Sequence, residues 1–206
     1  MAKIASTADA VMVILAAGLS TRMGAHSKLD RIFPDGSTLV RRQIRIAETV
    51  GLPVLTVGRP GDGADVVNPY PDRGISESLR RGLLAVRAKF GSAAVGILLA
   101  DQPFVTAADV QSVLRRFLSR PPIVHAVRPL YHGEPGHPVF FDAAWDPVVL
   151  GLSGDQGISR IWRSRADTTE LDIPVTGRPD PLFDIDTEDA YRQAALWLSE
   201  EESGGS

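Results

Sequence analysis

The chain has no cysteine, which excludes disulfides, thiolate metal centres and cysteine nucleophiles. It has little net charge, −3 over 206 residues, so no overall basic field draws it to nucleic acid or to a membrane surface. Any polyanion it binds must be held by a local cluster. No apolar run approaches the roughly 18 residues that a membrane-spanning helix needs. The four histidines are scattered and show no zinc-ligand spacing. The composition that remains is that of an ordinary globular protein, and the length suits one domain with a proper core.

Strand-like and helix-like runs alternate along the chain. Residues 11–15 form a short apolar run, and 38–50 carry apolar residues at helical spacing, with Gln43 polar and off the pattern. Gly51 reads as a helix stop. Further strands are expected at 54–57, 94–100 and 123–127. Helices are expected at 76–90, with Ser76 as N-cap, and at 106–118, with Thr106 and Asp109 spaced as a capping box. The second half is less regular: "HGEPGHPVFF" reads as a loop and strand, "SGDQGISRIWR" as a loop and helix, and "LFDIDTEDAYRQAALWL" as a strand end and a final helix. Uniformly apolar strands between amphipathic helices predict a three-layer α/β fold, Rossmann-like, with a mostly parallel sheet covered on both faces. Ligands in such sheets bind beyond the carboxyl ends of the strands. The expected organisation is a flexible arm at 1–9, one domain over 10–199 and a flexible tail at 200–206. Residues 11–19 imitate a short secretory leader. Asp9 before the run and Gly18 and Arg22 breaking it argue instead for a core strand, and a cytoplasmic location is expected.

The stretch "LAAGLSTRMGAHSK", residues 15–28, follows the first strand. A glycine there lets backbone approach a ligand closely, and successive N–H groups can cradle anionic oxygens. Arg22 and Lys28 add two cations, suited to a triphosphate. Neither the dinucleotide G-x-G-x-x-G nor the P-loop spacing is met, so the residues alone leave open a simple strand and turn. Asp101 follows another buried strand, where an acidic group needs a partner. Magnesium is one, being hard and oxygen-seeking; capping the turn into the next helix is the other. Asp184 and Asp186 share a face if that segment is extended, and Thr187 can cap the final helix.

These segments carry a resemblance. Residues 15–24 with Lys28 resemble the signature L-A-A-G-x-S-x-R-M-G-…-K of nucleotidyltransferases with a glycosyltransferase-A-like fold, and most closely the molybdenum-cofactor cytidylyltransferase branch. Three residues separate Gly24 from Lys28 where that branch usually has two. "LLADQP" is similar to the family's L-x-D-x-P, "DIDTED" to D-I-D-T-P-E-D, and "GISESLRRGL" to G-x-S-x-S-L-x-x-G-L. "GHPVFF" and "SGDQGISR" are similar to G-[HN]-P-V and G-D-x-G-A-R, with Ile158 and Ser159 standing where a single alanine is usual.

The resemblance implies a magnesium-dependent transfer of CMP from CTP to the terminal phosphate of a molybdenum-bound pterin, with release of pyrophosphate. Leu15, Ala16, Ala17, Gly18, Arg22 and Lys28 would hold the nucleotide, with Arg22, Lys28 and Asp101 catalytic. Ser78 and Gly82 would lie by the base, and Asp101 and Asp186 would hold Mg²⁺. His137, Pro138, Gly154 and Asp155 would face the acceptor. The attacking phosphate is already anionic, so no general base is implied. The "LAAG" and "DIDTED" sequences favour CTP over GTP, and a molybdoenzyme is the expected recipient of the product. Two alternatives stay open: a sugar- or polyol-phosphate nucleotidyltransferase of the same fold, and a non-catalytic carrier or insertion chaperone for the pterin cofactor.

Overall fold

The opening apolar run becomes the middle of a sheet. The structure, a computed structural model, describes residues 9–18 and 32–203. In chain order its first half comprises β1 (Ala10–Leu15), α1 (Leu39–Thr49), β2 (Val54–Gly58), β3 (Val66–Val67), α2 (Ile75–Phe90), β4 (Ala94–Leu99) and α3 (Ala107–Leu118). The second half adds β5 (Ala126–Tyr131), β6 (Glu134–Pro135), β7 (Val139–Phe141), α4 (Asp146–Leu150), α5 (Ile158–Trp162), β8 (Thr168–Asp172) and α6 (Glu188–Ser203). β1 is buried at every position and runs parallel to both its neighbours, β2 and β4. A strand covered on both faces needs no polar alternation, which is why the run is continuously apolar.

The sheet continues from β2 to β3 on one side and from β4 through β7 to β5 and β8 on the other. β7 is antiparallel to both β4 and β5, so β5 regains the direction of β1. β6 folds back on β5 through His132 and Gly133, whose φ values of 52° and 81° have the sign pattern of a type I′ hairpin turn.

Side chains alternate across β1. Met12 and Ile14 enter a core with Leu39, Val113, Phe117, Ala194 and Leu198 of α1, α3 and α6. Val11, Val13 and Leu15 enter a second core with Leu79, Leu83, Val149 and Trp162 of α2, α4 and α5. The expected three-layer α/β architecture is the one observed. Among the described residues, no helix is long and apolar enough to cross a membrane.

The helix ends follow simple chemistry. Thr106 and Asp109 form the expected capping box: Thr106 Oγ1 accepts from the Asp109 N–H, and Asp109 Oδ2 accepts from the Thr106 N–H. Gly51, at φ 80° just past α1, ends that helix as read from the sequence. Three expectations are corrected. The N-cap of α2 is Gly74, with no side-chain cap, and Ser76 lies inside the helix with its N–H on the Gly154 carbonyl. The fifth strand starts at Ala126 and not at Ile123, which is exposed. It also runs through Pro129, whose missing N–H falls between the stretches paired to β7 and β6. Residues 183–186 form no strand. They form a strap whose Ile185 N–H bonds to the Asp101 carbonyl beyond the end of β4.

Candidate active site

The carboxyl ends of β1 and β4 open onto a cavity of about 380 Å³. Leu15, Ala16, Ala17 and Gly18 form one wall, and Leu99 and Asp101 another. The first turn of α2, with Gly74, Ile75 and Ser78, closes the side towards β2, and Asp155 lines the mouth. Strand pairing holds this floor in register: the Ala16 N–H donates to Val57, and the Ala100 N–H to Leu15. The small side chains of Ala16, Ala17 and Gly18 leave backbone open to a ligand. A second cavity of about 290 Å³ adjoins across Ala16, between Thr38 and Arg41 on one side and Asp62 and Gly63 on the other.

Asp155 enters the site because the 153–157 loop packs against the start of α2. Gly74 has φ 83°, a conformation that L side chains rarely adopt. A Cβ there would stand 2.4 Å from the Gly154 carbonyl and 2.5 Å from Asp155 Oδ1. The Gly154 carbonyl in turn accepts the Ser76 N–H. The Asp155 carboxylate therefore sits at the electropositive end of a 16-residue helix.

Ser78 is oriented by a residue the sequence did not single out. Asn68, fully buried, donates from Nδ2 to Ser78 Oγ at 2.9 Å and accepts the Tyr70 N–H on Oδ1. The Ser78 hydroxyl hydrogen is thereby turned away from Asn68. "VVNPYP" reads as a turn, and nothing in it signals a contact ten residues away. Gly82, one turn further on, is not part of the lining. It lets α2 approach the sheet, since a Cβ there would meet Val13 Cγ1 at 2.7 Å.

Asp186 reaches the site through Ile185. Ile185 is buried in the core while Asp184 and Asp186 are exposed on either side of it, the shared face expected of an extended segment. The Ile185–Asp101 backbone bond at 3.0 Å seats Asp186 beside the Asp101 turn, although 85 positions separate the two in sequence. The same strap is clamped upstream, where the Arg178 guanidinium makes two bonds to the buried Asp109 carboxylate, at 2.9 and 2.8 Å. Such forked pairs resist displacement.

His137 and Pro138 stand behind Asp101, outside the cavity lining. His137 Nδ1 lies 3.0 Å from Gln102 Oε1, and the His137 carbonyl accepts the Tyr131 hydroxyl. Burial holds the His137 imidazole down at about 4, with Arg128 acting in the same direction and Asp101 opposing. The ring is neutral at pH 7, with Nδ1–H donating to Gln102. The unfolded chain takes up this proton near 6.5 and the folded one near 4, so stability is lost as pH falls through that interval. Melting temperature should fall more steeply between pH 6.5 and 4 in the native protein than in His137→Gln. Parallel profiles would contradict a buried neutral imidazole. The Asp167 carboxylate, held at about 2 first by the Arg165 guanidinium, acts at lower pH.

Leu15 to Gly18, Ser78, Asp101 and Asp155 thus share one cavity, and Asp186 follows Ile185, whose N–H is bonded to the Asp101 carbonyl. Arg22 and Lys28 lie outside the described residues. Among the described residues, no group of three or more carboxylates and imidazoles forms a metal cage of its own. Two carboxylates are what Mg²⁺ usually takes from protein when phosphates and water complete its shell. Asp101 and Asp186 fit that pattern, being oxygen donors from two segments joined by the Ile185–Asp101 backbone bond.

A mostly parallel α/β sheet with a cavity at its carboxyl edge and carboxylates beside it suits a phosphorylated ligand. The chain belongs to the family of MobA-like NTP transferase domains, whose model matches residues 12–169. No curated protein is significantly similar in sequence. Solved structures share the fold. Rv0371c from Mycobacterium tuberculosis H37Rv is 24% identical at a TM-score of 0.72, over 90% of this chain and 98% of that one. It has also been solved in complex with manganese. A nucleotidyl transferase from Methanothermobacter thermautotrophicus is 20% identical at a TM-score of 0.71, over 93% and 98%. CMP:2-keto-3-deoxy-manno-octonic acid synthetase, complexed with CTP, is 13% identical at a TM-score of 0.68, over 93% and 99%.

Proposed function

We propose that the chain is a magnesium-dependent cytidylyltransferase that moves CMP from CTP onto the terminal phosphate of a molybdenum-bound pterin and releases pyrophosphate. The observation that carries this reading is the bond from the Ile185 N–H to the Asp101 carbonyl. It joins two carboxylate-bearing segments from opposite halves of the chain at the edge of the cavity that begins at Gly18.

Asp101 and Asp186 would hold Mg²⁺, which when bound neutralises charge developing on the α-phosphate and fixes its orientation. The backbone at Ala16, Ala17 and Gly18 approaches the phosphates, and Arg22 and Lys28 supply cations to them. Ser78, its oxygen already accepting from Asn68, directs its hydroxyl hydrogen to an acceptor on the base. The acceptor phosphate attacks the α-phosphorus in line, and pyrophosphate leaves on the opposite side. The protein contributes positioning and charge stabilisation, without a base. Asp155 and Gly154, with His137 and Pro138 behind Asp101, belong to the acceptor side. The manganese complex of the mycobacterial neighbour and the CTP complex of the octonic acid synthetase are consistent with a divalent metal and a cytidine nucleotide.

The test is pyrophosphate release with the pterin acceptor and either CTP or GTP. CTP should be preferred by about tenfold or more in kcat/KM, the scale at which one oriented hydrogen bond discriminates. Preference for GTP would overturn the assignment of the nucleotide. Tight pterin binding with no pyrophosphate released would favour a cofactor carrier.

A further inference from the structure

Gln43 broke the apolar pattern of the first helix, and neither the fold nor the proposed reaction has used it. Its neighbours on the buried face of α1, Leu39 and Ala47, are apolar and fully buried, and Gln43 is fully buried with them. A glutamine placed there only to fill space would leave two polar groups to satisfy where a methionine of similar size would leave none. Gln43 satisfies just one. Its Nε2 donates to the Gln102 carbonyl at 2.6 Å, while Oε1 is buried with no hydrogen-bond partner. The amide is thus kept in an apolar layer for a single bond, made to the residue next to Asp101.

That bond closes a chain of contacts behind the site. The Asp101–Gln102 turn is held by Gln43 on the Gln102 carbonyl, by the Ile185 N–H on the Asp101 carbonyl, and by the Gln102 N–H on Leu99. The Gln102 side chain, itself buried, receives His137 Nδ1. A turn after a strand has no ladder of its own to fix it, and these bonds hold the backbone that carries the Asp101 carboxylate. Of them, only the Gln43 bond comes from a side chain of a helix packed on the sheet.

We propose that Gln43 is a positioning residue, whose buried bond to the Gln102 carbonyl fixes the Asp101 turn so that the Asp101 carboxylate stays in place for the metal. The proposal rests on the reading of Asp101 as a metal-holding carboxylate. Its test is Mn²⁺ binding measured by electron paramagnetic resonance, with CTP present and no acceptor. The wild type, Gln43→Met, Gln43→Asn and Asp101→Asn are compared, each with its melting temperature. Methionine fills the site without a donor; asparagine keeps an amide but is one carbon too short to reach.

Whichever Gln43 variant folds should bind Mn²⁺ about tenfold more weakly than the wild type, the usual scale for losing a group that orients a metal ligand. The melting temperature of Gln43→Met should stay within about 4 °C, while Gln43→Asn, with an unpaired buried amide, should melt lower. A purely structural role would move the melting temperature and leave the Mn²⁺ affinity alone. Unchanged affinity in the Gln43 variants, with binding lost in Asp101→Asn, would overturn the role of Gln43 and leave the reading of Asp101 standing. Unchanged affinity in Asp101→Asn as well would overturn both.

Discussion

Asp101→Asn should lower metal-dependent pyrophosphate release by about 10³-fold or more, since a bound metal supplies several kcal/mol of charge stabilisation to phosphoryl transfer. The fold should be unaffected. Asparagine is isosteric, and the link between this turn and the Ile185 strap runs through the Asp101 backbone carbonyl, which the substitution leaves intact. Melting temperature should therefore stay within about 4 °C of the wild type. One change in His137 should accompany the loss: Asp101 opposes the depression of the imidazole, so without its charge His137 should protonate at still lower pH. A folded Asp101→Asn protein that kept a tenth of the turnover would remove Asp101 from the reaction.

Gly74→Ala carries the second large effect, and here the loss is of stability first. The added methyl meets the Gly154 backbone at 2.4 Å, a contact that no flexible side chain can yield. The φ of 83° adds backbone strain of about 1–3 kcal/mol. Relief requires the 153–157 loop to lift from α2, which removes the Gly154 acceptor from the Ser76 N–H and Asp155 from the cavity. A loss of about 2–4 kcal/mol is expected, or about 5–15 °C in melting temperature for a domain of this size. CTP binding should weaken at least about tenfold with the loss of the cavity wall. Gly91→Ala is the control. Gly91 also has a positive φ, 62°, but a Cβ there meets nothing within 4 Å, so it reports backbone strain without the clash. Thermal melts and CTP titrations of the two variants separate the terms; equal effects would show that loop contact at Gly74 contributes nothing.

The parts of the molecule legible in sequence are those set by local chemistry. A continuously apolar run had to be covered on both faces, and β1 is. Thr106 and Asp109 satisfy each other within one turn, and the box forms as spaced. Gly51 ends its helix because few residues accept its positive φ. The alternation of strand and helix was enough for the α/β class, and the first strand end was enough to point at Gly18.

What escaped was set by partners far away in sequence. The tail of β5 contains Pro129, which counts against a strand until the gap between β6 and β7 shows that no N–H is needed there. β8, "TTELD", is half exposed along its length, so no apolar face announced it. Ser76 has the chemistry of an N-cap, but the 153–157 loop fixes the helix start at Gly74. Asp184 and Asp186 read as a strand end; they flank Ile185, whose N–H bonds to the distant Asp101 carbonyl outside any ladder. Asn68 gave no signal because it acts on one atom of a distant segment, and Gln43 showed only as a polar break in an apolar pattern, its partner lying 59 positions away. The resemblance to the cytidylyltransferase branch pointed to Asp155 as an acceptor residue, and packing against Gly74 puts its carboxylate at the mouth of the cavity that begins at Gly18.

The most direct test of the account is a crystal structure of the protein with CTP and Mg²⁺. It should show the base beside Ser78, the triphosphate over Ala16 to Gly18, and a metal held by the carboxylates of Asp101 and Asp186. A triphosphate lodged between Thr38 and Asp62, with no metal on Asp101, would contradict it.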